Sequence, residues 1–210
     1  MDITYKTILT PSEIEIVEKK SRFIGFACPV STEEEANEFV NSIKQKHKIA
    51  THNVYAYVLR KNNINKFTDD GEPSGTAGLP TLDAIRKAGF TDTAVVVTRY
   101  FGGTLLGTGG LVKAYSTAAK EALIAAKPII KKLSCLYEIT CRYDLLGSVQ
   151  YTLELKGFPI ENIEYTDKVK LTVSADFGTE DLLINEITSV TGATAKIEYL
   201  ENRYVNVITE

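Results

Sequence analysis

Two short stretches hold the residues whose types and spacing suit chemistry. The first runs Arg99-Tyr100-Phe101-Gly102-Gly103-Thr104-Leu105-Leu106-Gly107-Thr108-Gly109-Gly110-Leu111-Val112-Lys113-Ala114-Tyr115 and packs five glycines into nine positions. Glycine permits positive φ and lets bare N–H groups come close to a ligand. A helix starting near Thr108 would aim its unpaired N–H groups into the same loop, which suits a bound anion. Lys113 opposes the macrodipole in the first turns, a conflict that a bound phosphate or carboxylate removes. Arg99 adds a second cation if its side chain faces the loop. The same residues equally suit a tight strand-to-helix crossover in which small side chains serve packing alone. Neither common phosphate motif is present: Thr108 stands where a Walker A loop needs lysine, and Val112 where GxGxxG needs its third glycine.

The second stretch is Asp69-Asp70-Gly71-Glu72-Pro73-Ser74-Gly75-Thr76-Ala77-Gly78. Three carboxylates within four positions, with Ser74 and Thr76 beside them, suit a divalent cation such as Mg²⁺ or the positioning of a hydroxyl. The competing reading is a structured turn, since Asp70-Gly71 is a turn signal and Glu72 must be extended before Pro73. A third, smaller feature is the basic run Lys19-Lys20-Ser21-Arg22 at an expected hairpin tip, open to phosphate contact or simply solvated. His52 has no serine or cysteine assigned to it, so a nucleophilic triad is not supported. Tyr55 and Tyr57 share one strand face, for packing or for base stacking. The three cysteines, Cys28, Cys135 and Cys141, are odd in number and without CxxC spacing, and His47 and His52 are the only histidines. A zinc site or a disulfide framework is therefore not expected.

The elements that must hold these residues follow from period and capping. In the first part, Ile14 and Ile16 with Arg22–Val30 read as two paired strands. Ser31 and Glu34 form a capping box ahead of a helix with the apolar stripe Ala36, Phe39, Val40 and Ile43. Asn53–Arg60 is a strand, and a long loop over Lys61–Pro80 carries the acidic stretch. Leu82, Ile85 and Ala88 mark a short helix. Thr93–Tyr100 is the most apolar strand and leads through the glycine loop into a helix from about Gly109 to Ala126. In the second part, Ser134–Cys141 is a strand. A helix capped by Asp144 runs to Lys156 and stops at Gly157. Phe158–Tyr165 and Lys168–Ala175 are strands, Thr179 caps a second helix that ends at Gly192, and Ala193–Ile208 closes as a strand or hairpin. The order is β-α-β-β-α-β, the ferredoxin-like or split-βαβ pattern.

The 210 residues are 44% apolar and 24% charged, which excludes a mainly disordered or low-complexity chain. No apolar run is long enough to span a membrane, so no membrane partner is expected. The first twenty residues lack a basic end and apolar core, and a cytoplasmic location is expected. Residues 1–132 hold 18 Lys and Arg against 14 Asp and Glu, a charge of +4, whereas 133–210 hold 6 against 13, a charge of −7. With Pro128 and Ile129–Leu133 as a connector, this sign change places domains at 1–132 and 133–210.

On the two chemical stretches, together with Lys20-Ser21-Arg22-Phe23, the chain resembles the YigZ/IMPACT family over nearly its whole length. The resemblance implies an α+β fold: a first domain similar to the second domain of ribosomal protein S5, then a ferredoxin-like domain similar to domain V of elongation factor G. Eukaryotic members are implied to regulate translation by binding a partner of a stress kinase through a further N-terminal domain. That domain has no counterpart in these 210 residues, so the partnership is not carried over. For bacterial members the resemblance supplies no reaction and no catalytic residues. Three functions are thus expected to compete. One is RNA or ribosome binding in translation, through Lys20, Ser21, Arg22, Arg99, Tyr100, Gly102, Gly103, Gly107, Thr108, Gly109, Gly110 and Lys113. Another is an enzyme or sensor for a phosphorylated small molecule, with Asp69, Asp70 and Glu72 holding Mg²⁺ or acting as base. The third is a protein-interaction adaptor without a ligand site. No resident cofactor is expected outside the second reading. The oligomeric state, the identity of the ligand and whether any reaction is catalysed stay open.

Overall fold

A computed structural model describes residues 3–207. It is an α+β structure with two sheets and five α-helices. The chain divides into two compact units, Tyr5–Ile130 and Lys131–Val207, the latter joined by residues 3–4.

The first unit contains β1 (Thr4–Ile8), β2 (Ser12–Glu18), β3 (Ser21–Pro29), α1 (Glu33–Lys46), β4 (His52–Leu59), β5 (Ile64–Thr68), α2 (Gly78–Lys87), β6 (Thr93–Tyr100) and α3 (Gly107–Ala125). Its sheet has the order β2-β3-β6-β4-β5, antiparallel throughout. Side chains alternate between the faces of a strand, and this decides which residues can meet. Val95 and Val97 of β6, Val54, Ala56 and Val58 of β4, and Phe23 of β3 join the core under α2 and α3. Val96 of β6 with Ile24 and Phe26 of β3 pack instead against Val40 and Ile43 of α1.

Three expectations change in this unit. The cap of α1 is Thr32, whose hydroxyl accepts from Glu35 N at 3.2 Å while Ser31 N donates to Glu35 Oε2 at 2.6 Å; the box sits one residue beyond Ser31/Glu34. The loop expected over Lys61–Pro80 is far shorter, because Ile64–Thr68 pairs with β4 as an edge strand and α2 takes in Gly78 to Pro80. The edge position leaves Asn65, Lys66 and Phe67 exposed, so the segment lacks the apolar run that would mark a strand. Helix α3 begins at Gly107, two residues early.

The second unit contains β7 (Pro128–Cys141), α4 (Leu146–Lys156), β8 (Ile160–Tyr165), β9 (Val169–Asp176), α5 (Glu180–Val190) and β10 (Lys196–Val207). Its strands run β10-β7-β9-β8. Val149 and Leu153 of α4 and Leu183 and Ile187 of α5 bury against Ile139, Leu171 and Val173. Pro128–Leu133 is strand rather than connector. Asp144 lies in a 3₁₀ turn with its carboxylate on Arg142 at 3.0 Å, so it does not cap α4. Gly157 ends α4 in the left-handed region as expected. Thr179 precedes α5, but its hydroxyl donates back to Asp176 O rather than capping the helix. The chain closes on a single strand, β10. No helix among the described residues is long and apolar enough to cross a membrane.

Candidate functional site

Strand parity builds the site. Arg99 is in phase with Val95 and Val97, so its side chain lies under α3, where only 5% of the residue stays exposed. Glu72, from the acidic loop, is 8% exposed and meets it there. Glu72 Oε1 accepts from Arg99 Nη1 at 2.6 Å and from the Tyr115 hydroxyl at 2.8 Å. Burial, then the adjacent Glu72 charge and hydrogen bond, push the Tyr115 phenol far above its ordinary pKa. Tyr115 packs edge-on against Phe23, and the Arg99 guanidinium lies 5.4 Å from the Phe23 ring centre. The acidic loop is therefore tied to the end of β6 by one buried ion pair and to α3 by the Tyr115 hydroxyl.

His52 faces Arg99 across the β4–β6 ladder and lies on the same side of the sheet. Its Nδ1 is 2.7 Å from the Asp70 carbonyl oxygen, which can only accept, so Nδ1 carries a proton. Its Nε2 then points toward Glu72 Oε1 at 3.8 Å. Ser21 completes the cluster: its hydroxyl accepts from Gly102 N at 3.2 Å and from Arg99 Nη2 at 3.4 Å. Gly102 is required there, since a Cβ would stand 2.1 Å from the backbone carbonyl of Lys20.

Above this floor, α3 opens. Its N-cap is Leu106, no side chain caps it, and no acid stands in its first turn. Gly107, Thr108 and Gly109 are exposed, as is Gly103 in the loop before them. Gly107 takes φ +75°, a turn into the helix that other residues adopt only under strain. A cavity of about 420 Å³ lies at this end; Thr51, Phe101, Leu105, Leu106 and Leu111 form its walls, with Glu72, Arg99 and His52 below. Lys113 is exposed one turn further along and has no ion-pair partner among the described residues. Lys20 is exposed at the β2–β3 tip, where Lys19 and Lys20 both take positive φ, of 44° and 68°.

Several expected site residues go elsewhere. Arg99 is neutralised by Glu72 and does not stand free beside the glycine loop. Arg22 alternates to the opposite face, makes a two-pronged contact with Glu15 at 2.8 and 3.1 Å, and lies over Tyr100. Tyr100 is also on that face, with its hydroxyl 2.8 Å from His47 Nδ1. The three carboxylates diverge instead of sharing a cation. Asp69 accepts from the N–H groups of Gly75, Ala77 and Gly78, which tie down the start of α2. Burial opposes its charge, but those three donors win and hold its pKa below the ordinary value. Asp70 accepts from Asn53 N at 2.6 Å and pairs with Lys44. Ser74 is exposed, and the Thr76 hydroxyl donates to Pro73 O. Gly110 is half-buried against Leu106. Among the described residues no group of three or more His, Cys, Asp or Glu is placed to hold a metal.

The residues that the sequence alone did not assign are Tyr115, Thr51, His52 and the cavity walls Phe101 and Leu105. The parity of Val54-Ala56-Val58 and Val95-Val97 is the signal that aligns His52 with Arg99.

Comparison with known proteins finds two matches, in chain order. Residues 19–123 match the Impact N-terminal domain, and residues 139–194 match a domain of unknown function designated DUF1949. The chain is 39% identical over 203 residues to the IMPACT family member YvyE of Bacillus subtilis, covering 96% of this chain and 94% of that one. It is 36% identical over 172 residues to the IMPACT family member YigZ of Escherichia coli, with 80% and 84% covered. Protein IMPACT-A of Xenopus tropicalis is 34% identical over 96 residues, which are 44% of this chain and 30% of that protein. A crystal structure described as that of a hypothetical protein superposes with a TM-score of 0.62 at 30% identity, covering 96% of this chain and 99% of the other. With two family models matched in order and the Bacillus subtilis relative aligned nearly end to end, the chain belongs to the YigZ/IMPACT family.

Proposed function

We propose that this protein binds RNA of the translation apparatus, seating backbone phosphates on the open N-terminus of α3. The single observation that carries this reading is the uncapped, acid-free, solvent-facing end of a 19-residue helix preceded by a glycine loop. Lys20, whose backbone adjoins Gly102, with exposed Lys19 at the same tip and exposed Lys113, supplies the cations; Arg99 and Arg22 do not, since each already has a carboxylate. The strand order β10-β7-β9-β8, with the unit's last strand beside its first, supports a ferredoxin-like reading of the second unit. It supports a likeness of the second unit to domain V of elongation factor G, and we propose an S5-like fold for the first unit. Fold likeness of this kind is analogy, and the chemistry rests on α3.

Three lysines on phosphates predict a log–log salt slope of about −2 on single-stranded RNA, from about −0.7 per contact. Affinity then falls roughly 15- to 20-fold between 50 and 200 mM salt. Fluorescence anisotropy of labelled single-stranded RNA across that range tests this. A flat salt response, or no binding at low salt, refutes it. The cavity beside α3 favours a second reading, a sensor or enzyme for a phosphorylated small molecule. Neither reading as proposed includes a resident cofactor.

A further inference from the structure

The cavity at the start of α3 is polarised. Its lip carries the N–H donors of the first turn of α3, beside the Thr108 hydroxyl. Its floor offers acceptors: Glu72 Oε1 is taken by Arg99 and Tyr115, but Glu72 Oε2 has no hydrogen-bond partner among the described residues, although the side chain is only 3% exposed. His52 Nε2 is the second acceptor when the ring is neutral, because Nδ1 is committed to Asp70 O. Arg99 Nε is buried without a partner as well, and it is a donor, not an acceptor. Between lip and floor the walls are apolar, and exposed Phe101 offers a ring face to a planar group.

A ligand that matches carries an anion for the lip, hydroxyl donors for the floor and a flat group that can lie against the apolar walls. We propose that the cavity takes a ribonucleotide with a free 2′,3′-diol, its 5′-phosphate on the α3 amides and its diol on Glu72 Oε2 and His52 Nε2. A carboxylate accepting from ribose hydroxyls is a recurrent solution to this recognition problem. The volume of about 420 Å³ lies in the range of small-ligand sites. The diol can belong to a free nucleoside 5′-monophosphate or to the 3′ end of an RNA chain. The inference rests on the reading that α3 seats a phosphate, and adds that the site distinguishes a ribose terminus from the interior of a strand.

The test uses the full chain and varies the ligand, so that folding is not at issue. Calorimetric titration compares AMP, 2′-deoxy-AMP and adenosine. Anisotropy compares one RNA dodecamer ending in a 3′-hydroxyl with the same RNA ending in a 3′-phosphate. Loss of one hydroxyl donor to the buried carboxylate is expected to weaken binding by about tenfold. The 3′-phosphate is expected to cost at least as much, and adenosine to bind more weakly than AMP. Leu105→Glu, at an exposed position on the lip, should weaken both ligands by tenfold or more while leaving the thermal transition in place. If AMP binds with this hydroxyl dependence and RNA does not bind, the inference stands with the free nucleotide as ligand, and the RNA reading falls. If RNA binds equally whichever group ends it and AMP does not compete, the RNA reading stands and the inference falls. Equal binding of AMP and 2′-deoxy-AMP also overturns it.

Discussion

Removing the Glu72 carboxylate is the sharpest way to probe the buried cluster. In Glu72→Ala the Arg99 guanidinium loses its partner at 2.6 Å while 95% of the residue stays buried, and the Tyr115 hydroxyl loses its acceptor at 2.8 Å. Breaking a buried pair from one side costs about 3–5 kcal/mol, because the remaining charge is stranded. The orphaned hydroxyl adds about 1 kcal/mol. The expected loss is therefore about 4–6 kcal/mol, or about 15–23 °C in the melting transition of the Tyr5–Ile130 unit. Glu72→Gln keeps an acceptor and loses only the charge, for about 2 kcal/mol. The charge can also be removed from both sides. Glu72→Leu with Arg99→Met and Tyr115→Phe leaves no stranded charge or phenol behind, and Ser21 keeps Gly102 N as a donor, so stability should return to within about 2 kcal/mol of the parent. The chain has no tryptophan, so calorimetry and urea titration followed by circular dichroism are the suitable assays. A loss below about 1.5 kcal/mol in Glu72→Ala, or a triple variant as unstable as the sum of its singles, would refute the view that Arg99 depends on Glu72 for its place under α3.

Two further outcomes follow from the geometry. Gly102→Ala must push the β2–β3 tip away from the glycine loop, since the new Cβ would be 2.1 Å from Lys20 backbone atoms; about 3 kcal/mol of destabilisation is expected in urea unfolding, whereas the open position Gly103 (φ +79°) tolerates Asn far better. The Asp69 carboxylate has its pKa lowered in the folded state, so its contribution is present above the ordinary carboxylate pKa of about 3.9 and is lost as pH falls through the lower folded value. The stability gap between the parent and Asp69→Asn should accordingly shrink between about pH 5 and pH 2, with exchange of the Gly75, Ala77 and Gly78 amides speeding up in the parent; a gap independent of pH contradicts this.

The helices and inner strands were legible because their periods are local. The stripe Ala36, Val40 and Ile43 lies on the buried side of α1, and Thr93–Tyr100 is strand β6 from end to end. The β-α-β-β-α-β order of the second unit was readable for the same reason. Edge strand β5 was not, because an edge presents polar residues to water and its only ladder is supplied by β4, a partner in space. Capping by Asp144 failed because a side chain with a choice of partners takes the nearest one, here Arg142.

The candidate site divides along the same line. Composition and spacing alone determined that a glycine-rich, acid-free segment would open a helix and that three carboxylates would crowd one loop, since turn chemistry and capping depend on near neighbours in the chain. Only the tertiary structure decided which charges remain for a ligand. Neighbours in sequence on a strand point to opposite faces, so Arg99 and Tyr100 part company, as do Ser21 and Arg22. A buried guanidinium must find a carboxylate, and the one within reach of Arg99 was Glu72, 27 positions earlier in the chain. Charge is counted along the sequence, but it is neutralised in space.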